Sequence, residues 1–239
     1  MLAFTSAIQE DLIQCYQRYE FHQVVHKLHN YCSEDLGGFY LDILKDRLYT
    51  SATGGLPRRS AQTVLYHIAH GLVRLFAPIL SFTADEAWEH FTGETDSSVL
   101  LQTWHVFPAQ PEAESQQQRW ARIRELRSQV LKKLEESRTQ GDIGSSLAAK
   151  VDIHVHAEDF AILNSLYDDL RFVLIVSEVN LIRIPEEEAE SISVQPSVHS
   201  KCERCWHYRE DVGQHAEHTT LCQRCISNLF GQGEQRHYA

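Results

Sequence analysis

The chain has 239 residues, 43% of them hydrophobic, and its 33 Asp and Glu against 22 Lys and Arg give a net charge of −11 at pH 7. This length can hold two or three domains, and the composition suits a soluble globular protein. A membrane span and a signal peptide are not predicted, because the chain has no apolar run of about 18 residues and residues 1–7 lack a basic segment.

Residues 1–115 are predicted to be helical. Helix starts are expected at Ser6 with Gln9, at Ser33-Glu34-Asp35 and at Thr83 with Glu86, because hydroxyl and acidic side chains of this spacing cap a first turn. A long helix is expected from about residue 60 to residue 76, and residues 100–108 read as extended. Buried helical faces are predicted from apolar spacing at Phe21, Val24, Val25, Leu28 and Cys32, and at Val64, Leu65, Ile68, Leu72, Leu75 and Phe76.

A polar linker is predicted at residues 109–118, and an amphipathic helix follows it. The apolar face of this helix contains Trp120, Ile123, Leu126, Val130, Leu131 and Leu134, and its other faces contain Arg119, Arg122, Arg124, Arg127, Lys132 and Lys133. Residues 116–150 contain eight Lys and Arg but four Asp and Glu, although the flanking segments are acidic. This basic stretch is either a strip that faces phosphates or a solvated helix face.

A small α+β domain is predicted over residues 119–198. Gly141 is a typical helix stop, and the alternation of Val151, Ile153 and Val155 predicts a strand. A short helix is expected near residues 160–167, and further strands are expected at residues 172–176 and 179–184. The glutamate-rich residues 186–190 read as a solvated loop.

The last segment, residues 199–239, contains two Cys-x-x-Cys pairs, Cys202 with Cys205 and Cys222 with Cys225, separated by sixteen residues. Each pair can place two thiolates on one cation, and the spacing is that of a structural zinc finger with four cysteine ligands. Two disulfides or a redox pair are the alternatives, but no βαβ pattern accompanies the motif. Cys15 and Cys32 are isolated, and this usage of cysteine indicates a reducing cytoplasm.

The zinc is predicted to be structural, because four thiolates close the coordination shell and leave no position for water. The finger has few large apolar residues, so metal binding is expected to supply its folding free energy. These residues are Trp206, Leu221, Ile226, Leu229 and Phe230. No local pattern supports catalysis: the chain has no glycine-rich phosphate loop, and His67-Ile-Ala-His70 lies inside a predicted helix.

Several stretches together resemble the C-terminal part of bacterial isoleucyl-tRNA synthetases. Residues 40–49, and residues 58–88 with Trp104 and Pro108, are similar to the anticodon-binding helical domain of class Ia synthetases. Residues 143–147 are similar to the junction that follows it. Cys202 to Cys225 match the terminal zinc finger, which is related to that of formamidopyrimidine-type DNA glycosylases. The resemblance implies a mainly α fold: an anticodon-binding helix bundle over residues 1–115, a small α+β junction domain over residues 119–198 and a four-cysteine zinc finger over residues 199–239.

The resemblance also implies a function. The full enzyme would attach isoleucine to tRNA(Ile) with ATP, but this sequence contains neither a His-x-Gly-His nor a Lys-Met-Ser-Lys-Ser motif and no editing domain. ATP would therefore belong to the N-terminal catalytic domain that is missing here, and this chain alone is predicted to be inactive. Its expected partners are the anticodon stem-loop of tRNA(Ile) and the missing domains, in the cytoplasm.

Six side chains are predicted to contact the tRNA. Arg204 and Trp206 flank Cys205 on a rigid metal turn, where they could bind and stack on loop bases; the alternative for Trp206 is a miniature core around the metal. Phosphate contacts are expected from Arg58, Arg59, Arg124 and Lys133. Two other functions stay open: a DNA-binding module of the glycosylase type, although those enzymes share an N-terminal Pro-Glu and this chain begins Met1-Leu2, and an interaction module without a nucleic-acid role.

Overall fold

The computed structural model describes residues 1–238, and the chain forms two compact units. The first unit contains Met1–Asp42 and Ser60–Gln117, and the second contains Ile43–Arg59 and the chain from Gln118 onward. The predicted junction and finger segments therefore lie in one unit, together with the short segment Ile43–Arg59. The mainly α class is confirmed, and the division into three domains stays a prediction.

Helices dominate the described chain. They are α1 (Leu2–Gln17), α2 (Phe21–Asn30), a π-helical segment (Tyr31–Leu41), α3 (Asp42–Thr50), α4 (Leu56–Phe76), α5 (Ser81–Thr92), α6 (Ala113–Gln140), α7 (Ala157–Asn164), α8 (Leu170–Leu174) and α9 (Gln223–Phe230), with short 3-10 turns at Val99–Leu101, Ser146–Ala148 and Tyr167–Asp169. In the described part of the chain, none of these helices combines the length and the apolar character that a bilayer crossing requires.

The three predicted helix starts are wrong. Ser6 lies inside α1, Thr83 lies inside α5, and residues 33–35 lie inside the π-helical segment. Ser33 donates a hydrogen bond from its hydroxyl to the His29 carbonyl oxygen at 2.8 Å, which is the bond of a mid-helix serine. Each helical segment therefore begins before the predicted start, and these hydroxyl and acidic residues lie within helices rather than at their caps.

The core of the first unit is formed by helix faces. Leu12, Val24, Leu28 and Leu75 are buried in one cluster with Cys15, and Tyr31, Leu36 and Ile68 form a second cluster. The predicted face of α2 is correct at Val24 and Leu28 but wrong at Phe21 and Val25, which are 44% and 52% exposed. The linker is shorter than predicted, because α6 begins at Ala113.

Three histidines pack together in the first unit. His67 and His70 lie on α4, and His105 lies in the irregular stretch that precedes α6. The His67 Nδ1 and His105 Nε2 atoms are 3.0 Å apart, and the His105 ring stacks on His70 at 5.4 Å. Burial, followed by the charges of Arg74 and His70, lowers the pKa of His105 to about 4. The folded unit therefore holds this imidazole neutral.

The second unit contains a three-stranded sheet of order β2-β1-β3. The strands are β1 (Ala149–Val155), β2 (Glu178–Arg183) and β3 (Ser191–Pro196), and β1 pairs parallel with β2 and antiparallel with β3. Alternate residues of β1 are buried, as the sequence predicts. Two short strands, β4 (Ser200–Lys201) and β5 (Tyr208–Arg209), form a separate ribbon in the finger.

One predicted strand is absent from this sheet, and one strand that is present in it was not predicted. The apolar stretch at residues 172–176 is not a strand, because Leu170–Leu174 forms α8 and Ile175 takes a left-handed φ of 57°. Such a short apolar run fits a buried helical turn as well as a strand. The third strand of the sheet is instead Ser191–Pro196, where Ile192 and Val194 alternate with polar residues over too few positions to stand out from the polar loop beside it.

Acidification is expected to destabilise the first unit. Because the folded-state pKa of His105 lies below the value of about 6.5 for a free imidazole, stability is fully present above pH 6.5 and is lost as the pH falls toward 4. In thermal melts between pH 7.5 and pH 5, His105→Asn should lose less stability on acidification than the unmodified chain. An identical pH dependence in both proteins would contradict this.

Candidate metal centre and nucleic-acid interface

Four buried cysteines form a cluster in the second unit. Cys202 and Cys205 lie between β4 and β5, Cys222 caps the N-terminus of α9, and Cys225 lies in its first turn. Their Sγ atoms all lie within 4.8 Å of one another, and those of Cys205 and Cys222 are 3.7 Å apart. Four sulfurs bound tetrahedrally at about 2.3 Å from zinc would be about 3.8 Å apart, so the geometry fits this ion.

The burial and close spacing of the four thiols also favour a bound cation. The close Cys205 sulfur and burial raise the pKa of Cys222 to about 12, so this cluster would hold protons without a positive charge at its centre. The backbone N–H of Cys222 donates to Cys202 Sγ at 3.3 Å, which ties the two cysteine pairs together. Within residues 1–238, these four cysteines form the group of side chains whose ligand atoms lie close enough together to hold a metal ion.

The finger has almost no apolar core apart from its cysteines. Val212 and Leu221 pack against the cluster and Ile226 is buried, but Trp206, Leu229 and Phe230 are exposed. Of the five large apolar residues noted in the sequence, three therefore contribute little burial. The expectation that metal binding supplies the folding free energy fits this arrangement.

A largely buried ion network attaches the finger to α3. The Asp46 carboxylate accepts two parallel hydrogen bonds from Arg224 at 2.7 and 2.8 Å and also pairs with Arg236. Although burial acts to raise it, the hydrogen bond and the charge of Arg224 hold the pKa of Asp46 well below its usual range. Asp46 is therefore ionised at neutral pH and fixes both guanidinium groups.

The residues that follow α9 fold back over this network. Glu234 accepts hydrogen bonds from Arg236 Nε, Asn228 Nδ2 and Ser51 Oγ, each at 3.0 Å. The Arg236 guanidinium lies 3.7 Å from the centre of the Phe172 ring, and the Arg236 side chain is 1% exposed. The buried charges therefore have hydrogen-bonding partners and a ring to pack on.

Arg204 and Trp206, predicted to contact RNA, occupy different environments. Arg204 donates to the Thr50 carbonyl oxygen at 2.6 Å, so its guanidinium caps the end of α3 and holds the metal turn there. Trp206 has a left-handed φ of 66° and is 60% exposed, and Lys201 Nζ lies 5.5 Å from its ring centre. The indole is therefore turned outward, whereas a packed miniature core would bury it.

The structure separates the basic residues of α6 by role. Arg122 forms a bidentate pair with Asp159 at 2.6 and 2.8 Å, and Arg127 donates to the buried Val173 carbonyl oxygen. These two side chains are thus tied to α7 and α8. Lys133 is exposed and pairs with Glu136 at 2.8 Å, and Arg124 is half-buried. The basic face of α6 is consequently narrower than its sequence suggests.

Arg58 and Arg59 lie in the first turn of α4, in the second unit, where Arg58 is half-buried and Arg59 is exposed. Sequence reasoning missed the network around Asp46, because its members come from segments more than 170 residues apart, and neither the motif that contains Arg224 nor the stretch that contains Asp46 indicates that the two meet.

Two family models match the chain. Residues 1–153 match the family described as "Anticodon-binding domain of tRNA ligase". Residues 200–228 match the family described as "Zinc finger found in FPG and IleRS". The two matches contain the predicted helical region and all four cysteines of the cluster.

Curated relatives align along the whole chain. It is 63% identical to an isoleucine–tRNA ligase of Nitrosomonas europaea, with 100% of this chain and 26% of that protein aligned. It is 54% identical to an isoleucine–tRNA ligase of Paraburkholderia xenovorans, with 98% of this chain and 25% of that protein aligned. The chain thus spans about a quarter of the length of the curated relatives that it matches.

Replacing Asp46 is expected to loosen the finger. Asp46→Asn removes the charge that faces Arg224 and Arg236, and it should lower the free energy of unfolding by about 3 kcal/mol, at the low end for a broken buried ion pair because Glu234 still faces both arginines. The measurement is urea unfolding followed by circular dichroism. Glu135→Gln is the control, since its exposed pair with Arg138 should contribute less than about 1 kcal/mol. Equal effects of the two substitutions would refute the role given to Asp46.

Proposed function

Because the chain belongs to the family of anticodon-binding domains of tRNA ligases, we propose that it binds the anticodon stem-loop of tRNA(Ile) as part of an isoleucine–tRNA ligase. The observation that carries the proposal is the 63% identity to one such ligase along the entire chain, together with the family match over residues 1–153. The complete enzyme would attach isoleucine to its tRNA with ATP, in the cytoplasm.

Catalysis belongs to other parts of that enzyme. This chain contains neither a His-x-Gly-His nor a Lys-Met-Ser-Lys-Ser motif, and it corresponds to about a quarter of its relatives. The chain alone therefore should not activate isoleucine, and isoleucine-dependent ATP–pyrophosphate exchange above background would contradict this. Its own contribution is binding: it selects the tRNA that the catalytic part acts on.

One zinc ion is proposed at the cysteine cluster, held by Cys202, Cys205, Cys222 and Cys225. Bound there, the ion supplies neutralising charge and a rigid centre, with no open position for a reacting group. The chain's own residues do the rest: Arg204 fixes the metal turn to α3, and Asp46 fixes α9 through Arg224. These contacts hold the turn that carries Trp206, with the indole facing outward.

The proposed RNA contacts are divided between side chains that meet bases and side chains that meet phosphates. Trp206 presents its exposed ring for stacking on an unstacked loop base, and Arg204, whose guanidinium also donates to the Thr50 carbonyl oxygen, is proposed to bind a base with its other N–H groups. Lys133, Arg124, Arg58 and Arg59 are proposed to meet phosphates, which position the RNA without reading its sequence. A net charge of −11 gives no broad attraction for RNA, so a few local contacts must provide the affinity.

The DNA-repair alternative rests on the finger alone, whose family description includes both classes of protein. The match over residues 1–153 favours the tRNA ligase, and so does the identity along the chain. Gel-shift titration with isoleucine tRNA, an unrelated tRNA and a damaged DNA duplex tests the choice. Preferential retardation of the isoleucine tRNA supports the proposal, and preferential retardation of the damaged DNA overturns it.

Zinc removal is expected to unfold the finger selectively. Cys222→Ser should reduce the zinc content from about one ion per chain to near zero, because three thiolates hold the ion far less tightly. Limited proteolysis should then cut residues 200–238, while the helices of the first unit, which have their own core, resist. The control is Cys32→Ser, a half-buried cysteine outside the cluster. Purified protein without zinc, prepared without chelator, would refute the assignment.

Base and phosphate contacts should respond differently to substitution. Trp206→Ala should weaken the binding of isoleucine tRNA by roughly 1–3 kcal/mol and reduce the preference for it, whereas Trp206→Phe should retain most of both. Lys133→Ala should weaken the binding of all tRNAs alike and lower the salt dependence by about one counterion. Zinc content and circular dichroism serve as folding controls. If folded Trp206→Ala keeps both affinity and preference, the indole has no recognition role.

A further inference from the structure

Three aromatic rings form a nearly parallel column in the finger. The His218 ring lies 4.4 Å from the Phe230 ring at an interplanar angle of 5°, and it lies 5.1 Å from the His215 ring at 21°. Both histidines belong to the loop between the cysteine pairs, and Phe230 is the last residue of α9. One face of the phenyl ring is therefore covered, and the column fixes the orientation of the ring.

The remainder of the Phe230 ring lies in solvent. Phe230 is 64% exposed, and its neighbour in the chain, Leu229, is an exposed apolar residue; the other exposed residues near it in the chain and in the His218 loop are polar or small, among them Thr219, Thr220 and Gln232. A docking surface for a protein would need a contiguous apolar patch. A nucleobase needs one flat, rigid aromatic face, and it tolerates polar surroundings because its own edges are polar.

We propose that Phe230 is a second stacking platform of the finger, which receives an unstacked base of single-stranded RNA and is distinct from Trp206. The inference rests on the proposed binding of tRNA and adds a contact to it. The histidine column acts as the backing of the platform: it keeps the phenyl ring from rotating, so little conformational entropy is lost when a base stacks. His218 is thus a positioning residue, and Phe230 is the contact residue.

The test compares variants at Phe230 in the zinc-loaded chain, with an unmodified isoleucine tRNA transcript as the probe. Phe230→Leu keeps an apolar side chain but removes the aromatic face, and it should weaken binding about tenfold. Phe230→Trp restores a larger aromatic face and should bind at least as tightly as the unmodified chain. Leu229→Ala is the matched control, since Leu229 is a 45% exposed neighbour without a ring and its loss should leave the affinity unchanged.

The pattern across the variants decides the inference. If Phe230→Leu contains zinc and binds the transcript as tightly as the unmodified chain, or if Phe230→Trp is as weak as Phe230→Leu, the platform does not exist. A transcript with 2-aminopurine in the anticodon loop supplies a spectroscopic signature: stacking on the ring should quench its fluorescence, and Phe230→Leu should remove that quenching.

A photocrosslinking variant covers the case in which Phe230→Leu loses zinc. A benzophenone amino acid at position 230 keeps an aromatic group there and should crosslink to loop nucleotides of the transcript, and crosslinks confined to the base-paired stem, or none, overturn the inference. The failure of the proposed function looks different. In that case the unmodified chain does not bind the transcript, whereas failure of the inference alone leaves this binding intact and independent of Phe230.

Discussion

The second unit depends on one carboxylate, that of Asp46. It accepts a bidentate pair from Arg224 and a further pair from Arg236, and it thereby ties a residue of α3 to the metal-binding helix and to the segment after it. Buried charges cost several kcal/mol each in desolvation, so this arrangement holds because each charge has hydrogen-bonding partners. Glu234 completes the balance, giving two carboxylates against two guanidinium groups.

The metal cluster and the ion network compensate for the small apolar core of the finger. A segment of about forty residues cannot bury enough apolar surface to fold by itself, and its largest side chains point outward. The cysteine cluster fixes the two turns, and the ion network fixes the finger on α3. Large aromatic rings can therefore remain exposed on a rigid frame, where they lose little conformational entropy on contact with a ligand.

Several patterns that are local in sequence predicted the structure correctly, whereas contacts between residues distant in sequence were not predicted. The spacing of the cysteines, the alternation along β1 and the stop at Gly141 each arise within a few residues, and each prediction holds. The capping boxes fail although they are local, because such residues also fit inside a helix, where Ser33, for example, donates to the His29 carbonyl oxygen. Arg122 and Arg127 resembled a phosphate strip because nothing near them in sequence reveals Asp159 or the Val173 carbonyl oxygen. The contacts of RNA with this surface stay predictions.

The sequence distance between Asp46 and its partners also bears on biosynthesis. Arg224 and Arg236 lie 178 and 190 residues after it. At a synthesis rate of about 5–20 residues per second, the ribosome needs roughly 10–40 s to reach them. During that interval the Asp46 carboxylate and the carbonyl oxygens at the end of α3 lack the arginine side chains that bind them in the folded chain. The second unit thus completes its folding late, through contacts between residues that are far apart in the sequence. Topologies rich in such contacts fold slowly.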